Sequence, residues 1–180
     1  FFERKKNWEK LKLKYGFTYD NHYHVIANPQ FIDKTYDFLT KLKYDEIIKN
    51  RKLSAISSGL SKTKGHLNRK NFIIKLSNIF SKECEIYGGK WNNELNKESY
   101  KGELGGYHNK NKSIESSKFE GLINYNFSIC IENMQRKNYF SEKFTDAILC
   151  YTIPIYYGCP NIDEYFPKDC YYWLDIKSPN

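Results

Sequence analysis

The chain has 180 residues and a net charge of +8, with 40% hydrophobic and 17% aromatic side chains. That length favours one domain with a sizeable core, and no apolar run approaches the roughly 20 residues that span a bilayer. The basic side chains are scattered among acids and form no stripe, which argues against a nucleic-acid surface.

The N-terminus, FFERKKNWEKLKLKYG, is charged and helical in pattern and has no signal-peptide form. The chain starts at Phe1 and its only methionine is Met134, so it reads as a fragment. Within residues 1–50, Trp8, Leu11 and Leu13 suggest a helix ending at Gly16. Phe31, Phe38, Leu39 and Leu42 suggest another after Pro29. This segment is expected to be a hinge or the remnant of another domain, and residues 51–180 a separate folded unit.

From Lys52 the pattern changes. A short strand (KLSAIS) ends at Ser57, and a loop with Gly59 and Gly65 follows. Asn68 then caps a helix with an apolar stripe at Phe72, Ile73, Leu76, Ile79 and Phe80. A strand around Glu85 to Tyr87 ends at Gly88 and Gly89. The polar stretch from Lys90 to Ser117 has no periodicity and reads as a surface excursion. A helix over Lys118 to Asn124 leads into an apolar strand, Phe127 to Glu132. After a loop, Ser141 caps a helix that buries Phe144, Ala147, Ile148 and Tyr151. Strand Ile153 to Tyr157, Gly158, a short helix over Ile162 to Phe166 and a last strand over Tyr171 to Asp175 complete the chain.

Strands and helices thus alternate, and the strands are apolar on both faces, as in parallel sheets covered by helices. The expected fold is α/β, a Rossmann-like doubly wound parallel sheet. Ligands bind such sheets beyond the carboxyl ends of the strands. Five cysteines without a CxxC pair point to a reducing compartment.

Two helix starts break a local rule. Arg69 and Lys70 follow the Asn68 cap, and Lys143 follows Ser141 and Glu142, although a first turn favours anions. An anion docked there would reverse the loss, and a diphosphate suits the pair. Arg69 would grip two oxygens in a fork and Lys143 would act as a point charge. The competing reading is two solvated basic residues on a lysine-rich protein. Glu132 ends an apolar strand next to Asn133. It fits a hydrogen bond to sugar or ribose hydroxyls, or a pairing with a nearby cation. Glu142 fits a ribose contact or simple dipole complementation, and Tyr139 fits stacking on a base or sugar, or packing. His22 and His24 lack an obvious third metal ligand, and His66 and His108 read as ordinary polar residues. Walker, GxGxxG, GxSxG and Asp-x-Asp motifs are absent.

The run FSICIENMQRKNYFSEKFTDAILCYTIPIYYG resembles the signature of the family 10 glycosyltransferases, the α1,3/α1,4-fucosyltransferases. The matching positions are Phe127, Glu132, Asn133, Tyr139, Ser141, Glu142, Lys143, Ala147, Pro154 and Gly158. A weaker match runs from Arg69 through Phe72 and Lys75 to Leu76, and another from Phe166 and Pro167 to Tyr172 and Asp175. The resemblance covers about residues 50 to 176 and implies the C-terminal, donor-binding half of a GT-B enzyme. It implies a GDP-fucose donor, a glycan acceptor, inversion and no metal or other cofactor. By the same resemblance, Arg69 and Lys143 bind the diphosphate, and Glu142, Asn133 and Tyr139 surround the ribose, base or fucose, with Glu132 and Ser141 in the same motif. The general base would belong to an acceptor domain. Asp20, Asp33 and Asp37 match no motif, so no base is assigned. The expected location is cytoplasmic or peripheral to the inner face of a membrane. Two alternatives stand: a non-catalytic nucleotide-sugar- or glycan-binding remnant, and a transferase using another GDP-sugar.

Overall fold

A computed structural model describes residues 31, 34–105 and 117–177. The helix expected before Gly16, and residues Asp20, His22, His24, Asp33 and His108, lie outside the described residues. The elements are α1 (Tyr36–Lys41), β1 (Arg51–Ile56), α2 (Lys64–Phe80), β2 (Cys84–Tyr87), β3 (Tyr100–Gly102), α3 (Glu120–Ile123), β4 (Tyr125–Ile131), α4 (Glu142–Leu149), β5 (Ile153–Tyr157) and β6 (Tyr172–Trp173).

All six strands pair in parallel, in the order β3-β2-β1-β4-β5-β6. This is the expected doubly wound sheet. The order reverses between β1 and β4, the place where ligands of such sheets bind in a crevice beyond the strand ends. One face of the sheet packs Phe72, Ile73 and Leu76 of α2 against Ala55, Ile86, Ile129 and Tyr157. The other packs Phe144 and Ala147 of α4 against Cys130, Tyr156 and Ile162. Leu39 of α1 belongs to this second cluster, so the described part of the N-terminal segment rests on the same domain. All five cysteines are free thiols. Among the described residues no helix is long and apolar enough to cross a membrane.

The structure corrects several expectations. Helix α2 starts at Lys64 and is capped by Thr63, whose hydroxyl accepts from the His66 amide at 3.2 Å. Asn68 is therefore inside the helix and Arg69 in its second turn. Ile79 is 74% exposed and Phe80 43% exposed, so the apolar stripe ends at Leu76. The helix outruns its support: 17 residues rise about 25 Å, whereas the six residues of β1 extend about 20 Å. Tyr151 does not share the buried face of α4. It follows the helix at φ 53°, which turns the ring outward to donate to the Leu42 carbonyl at 3.0 Å.

The stretch after Lys90 is only partly an excursion. Trp91 and Leu95 are buried against α2, the Trp91 indole donates to the Ser57 carbonyl at 3.1 Å, and β3 extends the sheet. The last helix and strand are also shorter than expected, a 3₁₀ turn at Ile162–Glu164 and the two residues of β6.

Gly65 has a steric reason to be in α2. A Cβ there would lie 1.6 Å from the Asn133 carbonyl oxygen. The first turn of α2 thus packs backbone to backbone on the loop after β4. In an ordinary helix interior, Gly→Ala stabilises by about 1 kcal/mol. Here the sign is expected to reverse. Gly65→Ala should cost about 1–3 kcal/mol by overpacking, read as a lowered urea midpoint with an unchanged slope.

Candidate functional site

The site is built from four segments that meet at the switch point: the residues after β1 (Ser57 to Gly59), the start of α2, the residues after β4 (Glu132 and Asn133) and the start of α4. Glu132 is the buried support. Its amide continues the ladder to the Tyr157 carbonyl at 2.8 Å, which aims the side chain at the α4 terminus. One carboxylate oxygen accepts from the Ser141 amide at 2.7 Å. The Ser141 hydroxyl, 2.8 and 2.7 Å from the two oxygens, donates between them. The Glu132 side chain has 0% exposure, and Lys143 Nζ lies 3.5 Å from it. Glu132 is thus paired beneath the crevice, and of the two readings open from its strand-end position the structure displays the pairing with a cation. A Cβ on Gly158 would lie 2.5 Å from Glu132 Cγ and 2.3 Å from the Tyr156 hydroxyl, so a bare backbone is needed there.

Lys143 Nζ donates to the Ser141 hydroxyl at 3.0 Å and reaches Glu142 Oε1 at 3.4 Å. Burial disfavours its charge, but Glu132 and Glu142 outweigh that and hold its pKa above the ordinary lysine value. Glu142 has the mirror-image balance. Burial opposes its charge, while Lys143 and Lys118 hold its pKa below the usual range. Lys118 also pairs with the fully buried Asp146 at 2.6 Å. A lysine thus braces α4 from the side, a role not read from the sequence. The available signal was Asp146, an acid on the otherwise apolar face of that helix.

Arg69 lies across the crevice. It is only 5% exposed. Its guanidinium donates to Asn133 Oδ1 and, at 3.4 Å, to the Ser58 hydroxyl. Its Nε is buried without a partner, and among the described residues it forms no ion pair. Burial lowers its pKa, offset in part by the charge of Glu132. Arg69 and Lys143 are close enough that each other's charge matters, since Arg69 opposes protonation of Lys143. Lys70, the basic residue after Arg69, pairs with Glu94 at 2.7 Å.

Tyr139 is half-buried, and burial first, then the Glu132 charge, raises its hydroxyl pKa. The loop that carries it is tied down from the C-terminal side. Asn161 accepts from the Asn138 amide at 2.8 Å and donates to Asn138 Oδ1 at 2.6 Å, and Tyr165 donates to the same oxygen at 2.9 Å. Asn138 sits at φ 60°, a conformation that asparagine tolerates better than most residues. The structure therefore brings Arg69, Asn133, Tyr139, Glu142 and Lys143 around one crevice and places Glu132 and Ser141 beneath it.

Three buried polar atoms without a partner also sit on this side: Ser57 Oγ, His66 Nδ1 and Arg69 Nε. Orphaned polar atoms are rare in folded interiors, and each calls for an explanation. Ser57 and His66 were missed as site residues. Once Thr63 is read as the cap, His66 and Arg69 stand three apart on one helical face. Among the described residues no group of three or more His, Cys, Asp or Glu side chains could hold a metal ion.

Residues 49–177 match the sequence model described as glycosyltransferase family 10 (fucosyltransferase), C-terminal part. The chain belongs to this family. It is 40% identical over 74 residues to the alpha-(1,3)-fucosyltransferase FucT of Helicobacter pylori, a match covering 41% of this chain and 14% of that protein. It is 21% identical over 158 residues to GDP-fucose protein O-fucosyltransferase 3 of Xenopus laevis, covering 84% of this chain and 31% of that protein. A solved alpha1,3-fucosyltransferase with GDP-fucose aligns with a TM-score of 0.49 at 25% identity, over 74% of this chain and 34% of that one. The chain thus spans well under half the length of these relatives.

The geometry makes Glu132 the post on which this family motif is mounted. Glu132→Gln keeps the shape and removes the charge. It should lower stability by about 1.5–3 kcal/mol, the range for hydrogen bonds to charged groups, in urea denaturation at neutral pH.

Proposed function

We propose that the crevice binds the diphosphate of GDP-fucose and that the chain is the donor-binding part of a fucosyltransferase. The observation that carries this reading is Arg69, a buried guanidinium that pairs with no carboxylate among the described residues, facing Lys143 at the switch point of the sheet. A buried cation whose direct contacts are neutral is costly unless an anion approaches it, and the Glu132 charge offsets only part of that cost. Family membership makes a nucleotide-sugar diphosphate the natural candidate.

In this reading Arg69 and Lys143 hold the diphosphate oxygens, and the dipole of α4 adds to the attraction. Glu142, Asn133 and Tyr139 border the nucleoside and sugar, and Ser141 and Glu132 hold Lys143 in place. As the bond from sugar to diphosphate breaks, negative charge grows on the departing GDP, and the two cations stabilise it. The glycan hydroxyl attacks from the opposite side with inversion, and no metal is needed because the cations already neutralise the leaving group. Glu132 and Glu142 are both engaged by lysine, and the depressed pKa of Glu142 makes it a poor base. The group that deprotonates the acceptor is thus assigned to neither, and an N-terminal acceptor domain would supply it.

That same neutralisation motivates a second reading, a module that binds donor without turnover. The two readings share the diphosphate site and differ in product formation. Titration calorimetry with GDP should show binding, weakened about 10–100-fold in Arg69→Ala and in Lys143→Ala, the equivalent of one lost charged contact each. Absence of binding to the folded chain, or unchanged binding in both variants, would overturn the site assignment. Incubation with GDP-fucose or GDP-mannose and GlcNAc-containing acceptors, followed by mass spectrometry, separates the rest. A glycosylated product supports transfer and names the sugar, and binding without product supports the module.

A further inference from the structure

We propose that His66 is a third, titrating contact for the donor diphosphate, its imidazole taking up a proton as the anion binds. The inference rests on the diphosphate reading of the crevice and adds to it a residue and a proton.

Four observations converge on His66. It lies in the first turn of α2, with its amide held by Thr63. Helical side chains lean toward the N-terminus of their own helix, which carries the ring toward the crevice mouth. It precedes Arg69 by three residues and so shares its face. Next to it, Gly65 packs directly on the Asn133 carbonyl, which fixes the start of α2 against the loop bearing Asn133. Finally, the imidazole has no hydrogen-bond partner among the described residues, and its Nδ1 is buried.

The electrostatics around the ring run one way. Burial lowers its pKa, and Arg69 from α2, Lys143 from α4 and Lys62 from the preceding loop lower it further. No carboxylate contributes to its shift. Each of these influences favours the neutral imidazole in the open site. A diphosphate between Arg69 and Lys143 cancels the positive field that suppresses protonation and raises the pKa of the ring. The sign follows by linkage. The bound state holds more protons than the free state between the two pKa values. Affinity is thus highest below the free-state pKa and falls as pH rises through the bound-state pKa. Each pKa unit gained on binding is worth a tenfold change in affinity. A ring that merely packs against the loop would be neutral in both states and give no proton uptake.

The test is titration calorimetry of the full chain with GDP-fucose, whose diphosphate is esterified at both ends and does not itself titrate near neutrality. Runs in two buffers of different ionisation enthalpy, from pH 5.5 to 8, count the protons taken up. The wild type should take up a fraction of a proton near pH 6.5 and lose about tenfold in affinity across the range. His66→Gln should bind weakly at every pH with the uptake abolished. His66→Arg, with its fixed charge, should restore tight binding and show no uptake. Binding with equal proton uptake in wild type and His66→Gln, or with none in either, overturns the role of His66 and leaves the diphosphate site standing. Failure of GDP-fucose to bind the folded wild type overturns both.

Discussion

The carboxylate of Glu132 at the end of β4 is the constraint on which the site depends. A fully buried carboxylate is tolerated only when its oxygens are occupied. Here the Ser141 amide, the Ser141 hydroxyl and the Lys143 ammonium occupy them. The same contacts fix the N-cap of α4, and with it the direction in which Lys143 and Glu142 leave the helix. A strand end, a helix start and two charged side chains are therefore one mechanical unit. Gly158 belongs to the unit as well, because any side chain there would collide with Glu132. Ser141, Lys143 and Gly158 are thus tied to one side chain, Glu132, which accounts for their shared spacing from the strand acid.

Arg69 meets the opposite requirement. Its partners are neutral, Asn133 and Ser58, and they orient the guanidinium without cancelling its charge. Lys143 is held by carboxylates on one side and Arg69 is held by amide and hydroxyl on the other. The two cations thus meet at the crevice with Glu132 and Glu142 on the Lys143 side and no ion pair on Arg69 among the described residues. A lysine deprived of those acids would shed its proton under burial, and an arginine paired with one would have no charge left to offer. The division of partners fits the chemistry of each cation, since the guanidinium alone keeps its proton when buried with neutral neighbours.

The alternation of apolar strands and amphipathic helices was legible because burial on both sheet faces leaves a period in the sequence, and the resulting sheet is parallel as expected. The cap at Ser141 was legible for the same local reason, a small polar residue before an acid and an apolar stripe. The cap at Thr63 was not, because Gly65 looks like a loop residue. Its place in α2 follows from the approach of Asn133, which is 68 positions away in the chain and leaves no local trace. Arg69 was singled out for the wrong position in its helix, yet it faces the crevice because a long side chain in the second turn reaches back past the first. Trp91 and Leu95 were hidden by the polar residues around them, since two buried side chains in a lysine- and asparagine-rich stretch do not make a period.

The pairing of every acid at the site with a lysine also bears on how transfer would be divided between domains. A general base works best with a pKa near the working pH. Glu142 is pushed the other way by Lys143 and Lys118, and Glu132 is sealed beneath Ser141. An acid free to accept a proton beside this crevice would also attract Lys143 or Arg69 and close the anion site. Holding a dianionic donor and deprotonating an acceptor hydroxyl therefore make conflicting electrostatic demands on one cluster of side chains. On the proposed donor-binding reading, a base supplied from outside this cluster would resolve that conflict. On the same reading, Arg69 and Lys143 are thus better placed to hold the leaving group than any acid beside them is to serve as the base.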